Sequence, residues 1–497
     1  MHHHSTKMSE PTAPTLALAI VGAGIAGAYV AYSVSRARPD WSIALFERSF
    51  RIGGRLRSIR PDGFTGHPIE LGGMSYHTGQ PIVTGLVESL GLATRPLPLV
   101  HDEDRYHLRN HVATAADEGH ASAGYDLAAD ERGRSATLLL SMAFERIVPG
   151  FAELEMADSA VTRRHLRYLD RPLYEWSIGE ALAGVLSPEA HRFITDTIGY
   201  DSPIHTCNAA DAIAYLVGGK PPNAERRTLV DGMERLPREL AARFQAAGGS
   251  VRMKHDLAGL TVEPGIGGAV VFRLRFANGE DVHATRVVLA MPSPALTALA
   301  EGAPVLARPD VFRLIASVEP IPAFKLYLWY DRPWWRDTGF AGLRTTTDRP
   351  NRKVFYFDPE GTGLGLAVLL AAYTDGMDMA PWRALADGTA PPVAPAAMVE
   401  TAQRELRLLH RSGDIPEPVG SAYVDWGADP RECGWHFWKP GAQSREVLSR
   451  IVEPDPALEV FICGEAYSTS QALVEGALES AATVIRALTV GPVSAIP

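Results

Sequence analysis

Apolar and polar positions alternate along this chain in two different periods, and the change of period marks its elements. Leu18-Ala19-Ile20-Val21 is a short unbroken apolar run suited to a buried parallel strand, and the dozen residues after Gly24 carry apolar side chains at helical spacing. A second strand is expected at Ile43-Ala44-Leu45-Phe46, and Pro81 to Leu92 reads as a helix stopped by glycine. Residues 101–120 are polar and rich in histidine, acid and glycine, which predicts a loop region. From Arg134 to Ala214 the helical period dominates, as in Ile178-Ala181-Leu182-Val185-Leu186, with a turn at Tyr200-Asp201-Ser202-Pro203, and this predicts a helical lobe. Strands are expected at Gly268–Phe276 and Val282–Ala290, then across a strand-rich stretch from 312 to 375 in which Phe324–Tyr330 and Gly365–Tyr373 are clearest. Ala380–Met398 is loop-like, Ala397–His410 reads as an amphipathic helix, and Leu458–Cys463 is a strand entering a turn before a helix near Glu475.

Composition narrows the class without choosing a function. With 497 residues the chain can form two or three lobes, and 46% hydrophobic against 21% charged residues describes a globular protein. A net charge of -10 gives no basic face for nucleic acid. Cys207, Cys433 and Cys463 are too few and too scattered for a disulfide framework or a zinc site, and His101, His107, His111 and His120 lack ligand spacing, so no metal is expected. No apolar run reaches the length of a membrane span. Met1-His2-His3-His4, which has the look of an expression tag, and the polar residues after it hold no signal-peptide core, so the expected location is cytoplasmic.

The chemistry begins in the first turn. Gly22-Ala23-Gly24-Ile25-Ala26-Gly27 is a Gly-x-Gly-x-x-Gly turn between strand and helix: Gly22 permits the tight bend, Gly24 admits a pyrophosphate against bare backbone, and Gly27 lets the helix pack close. The helix N-terminus then faces the phosphates. Glu47, twenty residues past Gly27, stands where a carboxylate takes the ribose hydroxyls of FAD or NAD.

Arg48-Ser49-Phe50-Arg51-Ile52-Gly53-Gly54-Arg55, Glu70-Leu71-Gly72-Gly73-Met74, Leu229-Val230-Asp231-Gly232-Met233 and Cys463-Gly464-Glu465-Ala466 together resemble the amine oxidase family of flavoproteins, and among them the L-amino acid oxidases. The resemblance implies an α/β fold: a Rossmann-like FAD-binding domain of glutathione reductase type, a sheet-based substrate domain and an inserted helical lobe. It divides the chain into FAD-binding parts at 14–95, 225–300 and 455–497, a mainly helical lobe at 96–224 and a substrate domain at 301–454. It further implies that Gly22, Gly24, Ile25, Ala26, Gly27, Glu47, Arg48, Gly54, Arg55, Leu71, Gly72, Gly73, Met74, Val251, Gly464, Glu465, Leu473 and Val474 contact FAD. Arg55 would neutralise phosphate, a task that suits a forked guanidinium, and Val251 would offer its backbone to the adenine. Cys433, eight residues before Gly441, has the spacing of the covalently flavinylated monoamine oxidases, while its flanks are closer to the noncovalent relatives.

Lys325 stands in the apolar run Phe324–Tyr330, so its ammonium must face a polar cavity or lose its charge, unless that face of the strand is simply wet. In the family this lysine holds a water at flavin N5. Leu343-Arg344-Thr345-Thr346-Thr347-Asp348 followed by Val354-Phe355-Tyr356-Phe357 matches the L-amino acid oxidases, and makes Tyr356 the expected hydrogen-bond donor to a substrate carboxylate. Ser75, Trp438, Ala472 and Leu473 complete the expected substrate site, although for Trp438 the core reading is preferred. Two departures stand out: Ser75 occupies the place of the family's carboxylate-clamping arginine, and Leu473 replaces an aromatic. Either another arginine anchors the carboxylate or the substrate has none.

The implied reaction is oxidative deamination of an amino acid by hydride transfer to flavin N5, giving keto acid, ammonia and, through oxygen, hydrogen peroxide. The alternatives are oxidation of an amine without a carboxylate, oxidative decarboxylation to an amide, and a flavin-binding partner without turnover. Homodimerisation stays open.

Overall fold

The computed structural model describes residues 15–61, 68–151, 165–217, 223–265, 269–358 and 366–490. The Met1–His4 run and the expected strand ends Gly268 and Gly365 lie outside the described residues.

A five-stranded parallel sheet gathers three distant stretches of chain in the order Ser250–Met253, Ile43–Glu47, Leu18–Val21, Val287–Leu289, Val460–Ile462. The central strand is covered on both faces, which is why all four of its residues are apolar. One face packs under the helices Ile25–Ala37, Arg235–Ala246 and Val474–Val490. The other meets a three-stranded antiparallel sheet, Leu257–Pro264, Val270–Phe276 and Asp281–Ala284. The expected single strand Val282–Ala290 is therefore two. It breaks at Thr285-Arg286, where the Thr285 amide donates to the Leu16 carbonyl and the Arg286 carbonyl accepts from Ala19, so the chain passes from one sheet to the other.

A second, seven-stranded sheet runs Gly420–Trp426, Ala323–Tyr330, Ala367–Asp375, Lys353–Phe357, Arg344–Thr347, Arg105–Leu108, His111–Thr114. Its two faces do different things. Phe324, Leu326, Leu328, Val354 and Tyr356 point to a core shared with the helix Ala396–His410, whereas Ala323, Tyr327 and Phe355 point the other way, toward Leu71. Alternation along each strand thus decides which residues can reach the site.

The stretch 101–120 is not a loop, because a hairpin, Arg105–Leu108 with His111–Thr114, extends this sheet. Its turn residues Arg109 and Asn110 both take left-handed φ, 48° and 66°, without the glycine that would have marked a two-residue turn. Likewise the stretch from 312 opens inside a helix, Pro309–Ile315, before the strands begin. The helical lobe contains Ala136–Ile147, Ile178–Ala183, Pro188–Ile198 and Ala209–Val217, with Ser135, Ser177 and Ser187 as N-caps. Among the described residues no helix is long and apolar enough to cross a membrane, and no group of His, Cys, Asp or Glu could hold a metal ion.

Candidate active site

One cavity of about 840 Å3 runs between the two sheets, from Glu47 at one end to Lys325 and Tyr373 at the other. Its first wall is the glycine turn. Gly22 has φ +104°, and a Cβ there would come within 2.3 Å of the Ala290 carbonyl; one on Gly27 would lie 1.9 Å from the Gly22 carbonyl. Both are glycine because protein packs against them. Gly24 differs: a Cβ there would meet nothing nearer than Gly54 Cα at 3.8 Å, so its bare backbone is kept for whatever fills the cavity. The helix that starts at Ile25 has no side-chain cap and no acid in its first turn, leaving its N–H groups and positive dipole end facing that space. Glu47 is held by the amides of Ala23 and Ser49, each at 2.9 Å, and borders the cavity. These features fit an adenosine ribose at Glu47 and a pyrophosphate across Gly24.

Ile25, Ala26, Arg48, Gly54, Arg55, Leu71, Gly72, Gly73, Gly464, Glu465, Ala472, Leu473 and Val474 also line this cavity. Two of the arginines do something the sequence did not suggest. Arg48 is committed to Asp429 (2.7 Å) and Glu432, so it ties the end of the Ile43–Glu47 strand to the 429–432 segment across the cavity wall. Arg55 pairs with buried Glu465, which also accepts from His436 Nδ1 (2.7 Å) and the Ala472 amide (3.2 Å). Burial alone would raise the Glu465 pKa, but Arg55 and His436 outweigh it and hold the carboxyl at about 2. His436 in turn is raised to about 9 against its burial, by Cys433 and Glu465, and its Nε2 lies 3.3 Å from Cys433 Sγ. Arg51, missed in the sequence, lines the cavity too, and burial lowers its pKa despite Glu234 nearby.

Lys325 is 3% exposed and belongs to the inward-facing row of its strand. Its Nζ donates to the carbonyls of Gly72 (2.5 Å) and Glu70 (3.1 Å) and lies 4.8 Å from the centroid of the Tyr373 ring. Desolvation lowers its pKa to about 7, only partly countered by Glu70. Glu70 is itself pushed up to about 8 by burial, against hydrogen bonds from the Met233 amide and Ser58. A base with a pKa near neutrality, in a cavity lined by carbonyls, can hold and exchange protons without a standing charge.

Several expected residues stand elsewhere. Tyr356 is 1% exposed and faces the opposite side of the sheet, where its hydroxyl meets Thr345 Oγ1 (3.1 Å) and His410 Nε2 (2.8 Å); it cannot reach substrate in the cavity. Tyr373, on the neighbouring strand and paired in register with Lys325, lines the cavity instead. Trp438 is core beside Val318 and Tyr467, while Trp435, three residues earlier on the other face of the same short strand, lines the cavity. Val251 does not line the cavity; its strand is the edge of the parallel sheet, paired opposite Leu45, and the lining residues here are His255, Asp256, Leu257 and Ala258, just beyond it. Met74 points away, against Tyr327 (Sδ to Oη 3.6 Å). Ser75 does not line the cavity either; its Oγ accepts from Arg226 Nη1 at 3.0 Å. Tyr373 reaches the cavity only through its pairing with the strand of Lys325, and nothing in the sequence pointed to Arg226.

The parallel sheet, the glycine turn and the long cavity ending at a buried lysine define an FAD-dependent oxidoreductase. The chain belongs to the family of flavin-containing amine oxidoreductases, whose model matches residues 25–488. Its relatives include Aplysianin-A of Aplysia kurodai, 27% identical over 95% of this chain and 90% of that protein, and Achacin of Lissachatina fulica, 26% identical over 90% and 88%. An L-amino-acid oxidase of Mus musculus is 26% identical over 93% of this chain and 69% of its own length. Among solved structures, cyclohexylamine oxidase from Brevibacterium oxydans IH-35A superposes with a TM-score of 0.71 at 19% identity, covering 96% of this chain and 99% of that one, a likeness of fold.

Proposed function

We propose that this FAD amine oxidase acts on L-amino acids, converting the amine-bearing carbon to an imine that water hydrolyses to a keto acid and ammonia, with oxygen reduced to hydrogen peroxide. FAD, when bound, supplies the two-electron chemistry. The chain supplies place and proton control. Gly22, Gly24 and Glu47 border the nucleotide end, with Gly27 letting the helix pack close behind them, and Gly72, Gly73, Gly464 and Glu465 border the end nearest Lys325. Lys325 carries the reading: its Nζ, held by the carbonyls of Glu70 and Gly72, is a buried base near neutral pKa that can position a water for imine hydrolysis. Tyr373 and Trp435 give the substrate end aromatic walls that exclude bulk water.

The name L-amino-acid oxidase among the relatives supports the amino acid over other amines. Ser75 favours the second reading, an amine without a carboxylate, because no guanidinium projects from that position. The free, buried thiols of Cys207, Cys433 and Cys463 support a reducing, cytoplasmic setting. The test is anaerobic bleaching of the FAD-loaded protein by panels of L-amino acids, D-amino acids and simple amines. It is followed in air by peroxide and ammonia counts. Equal amounts of both from L-amino acids are expected; an amide product, or bleaching by simple amines alone, would overturn the proposal.

A further inference from the structure

Arg226 opens the strand Arg226–Leu229, and its half-buried guanidinium donates to Ser75 Oγ at 3.0 Å. No carboxylate among the described residues pairs with it; the ionisable groups it feels are the phenols of Tyr200 and Tyr215. Desolvation without an anion is costly, so this cation lacks a partner that the fold does not provide. Its surroundings lead to the substrate end of the cavity on two sides. Ser75 is two residues past Gly73, a lining residue, and Tyr200 stands edge-to-face against the lining residues Tyr373 (5.1 Å between centroids) and Trp435 (6.1 Å). Lys353, its Nζ 3.9 Å from the Tyr200 ring centroid, forms no carboxylate ion pair among the described residues, and burial pushes its pKa well below the usual lysine value.

We propose that Arg226 is the cationic anchor of the substrate site, held in place by Ser75, and that the preferred substrate carries a carboxylate beside its amine. A guanidinium forks onto both oxygens of a carboxylate, and the serine, too short to bind an acid by charge, holds that fork in place. The departure at Ser75 is thereby compensated from a neighbouring strand rather than marking a loss of acid recognition. This rests on the oxidase reading above for the identity of the substrate, but the anchor can be measured without turnover.

The experiment titrates the FAD-loaded protein with acetate, hexanoate and benzoate, following the flavin absorption spectrum, in wild type, Arg226→Gln and Arg226→Lys. Folding of each variant is checked by FAD uptake and melting. Arg226→Gln keeps a donor for Ser75 and is expected to weaken carboxylate binding about 10- to 100-fold, with Arg226→Lys intermediate. In turnover, KM for L-amino acids should rise more than kcat falls, and the preference for each amino acid over its decarboxylated amine should drop by a similar factor. Equal carboxylate affinity in wild type and Arg226→Gln, or no carboxylate binding to FAD-loaded wild type, would overturn the anchor. Failure of every amine and amino acid to bleach the flavin would instead overturn the oxidase reading, whatever the carboxylates do.

Discussion

Lys325 and Tyr373 face each other across two antiparallel strands, directly paired in register, with the lysine Nζ 4.8 Å from the centre of the tyrosine ring and held from behind by the Gly72 carbonyl at 2.5 Å. Burial, only partly countered by Glu70, keeps this lysine near pKa 7 at the end of a flavoenzyme cavity. Most of what can be tested follows from that arrangement.

Replacing Lys325 by Met keeps the volume and removes the proton site. Turnover is expected to fall about 100-fold or more, with FAD still bound. In wild type, activity should rise with pH through about 7 as Nζ becomes neutral, and that rising limb should vanish in Lys325→Met. A pH–rate profile of both proteins checks it.

The buried pair gives stability an uncommon pH dependence. Glu70 is raised from 4.5 to about 8, so its contribution is complete below pH 4.5 and is lost as pH rises through 8. Lys325 is lowered from 10.5 to about 7, so its contribution is complete above pH 10.5 and is lost as pH falls through 7. The two together place a minimum between pH 7 and 8. In Glu70→Gln the fall in Tm from pH 5 to 7 should flatten, as thermal melting across that range would show.

Tyr356 and Tyr373 should separate stability from activity. Tyr356→Phe deletes a buried hydroxyl bonded to Thr345 and His410 and is expected to cost about 1 kcal/mol with KM unchanged. Tyr373→Ala removes a cavity wall and should change KM and the pH midpoint set by Lys325. Melting and steady-state kinetics on the two variants give the comparison.

The glycines of the first turn should divide in the same way. Gly22→Ala meets the Ala290 carbonyl at 2.3 Å from a left-handed backbone and should destabilise the apoprotein. Gly24→Ala meets no protein atom closer than 3.8 Å, so the apoprotein should melt as wild type while FAD affinity falls. Melting of flavin-free protein and FAD titration measure each effect.

Cys433 borders the cavity, but its Sγ is engaged by His436 Nε2 at 3.3 Å. FAD is expected to leave the protein completely on acid precipitation. Yellow colour in the supernatant and a colourless pellet are the outcome to look for.

The nucleotide half of this protein was legible from local pattern. Leu18–Val21, Gly22–Gly27 and Glu47 are close in sequence, and their roles follow from a strand, a turn and a helix that each obey short-range rules. The hairpin at 105–114 was hidden because its turn uses Arg109 and Asn110 instead of glycine.

The substrate half depends on which face of a sheet a residue takes, and that is a property of pairing. The resemblance suggested Tyr356 and offered Trp438, but both are core: Trp435, three positions before Trp438, takes the opposite face of its strand, and Tyr373 comes to the cavity on the strand paired with that of Lys325. Sequence by itself determined the FAD-binding strand and turn, the family and the buried lysine, since each is written in neighbouring residues. Only the tertiary structure decided that Arg226 lies 3.0 Å from Ser75, because a separation of 151 residues is closed by strand pairing that neither segment encodes alone.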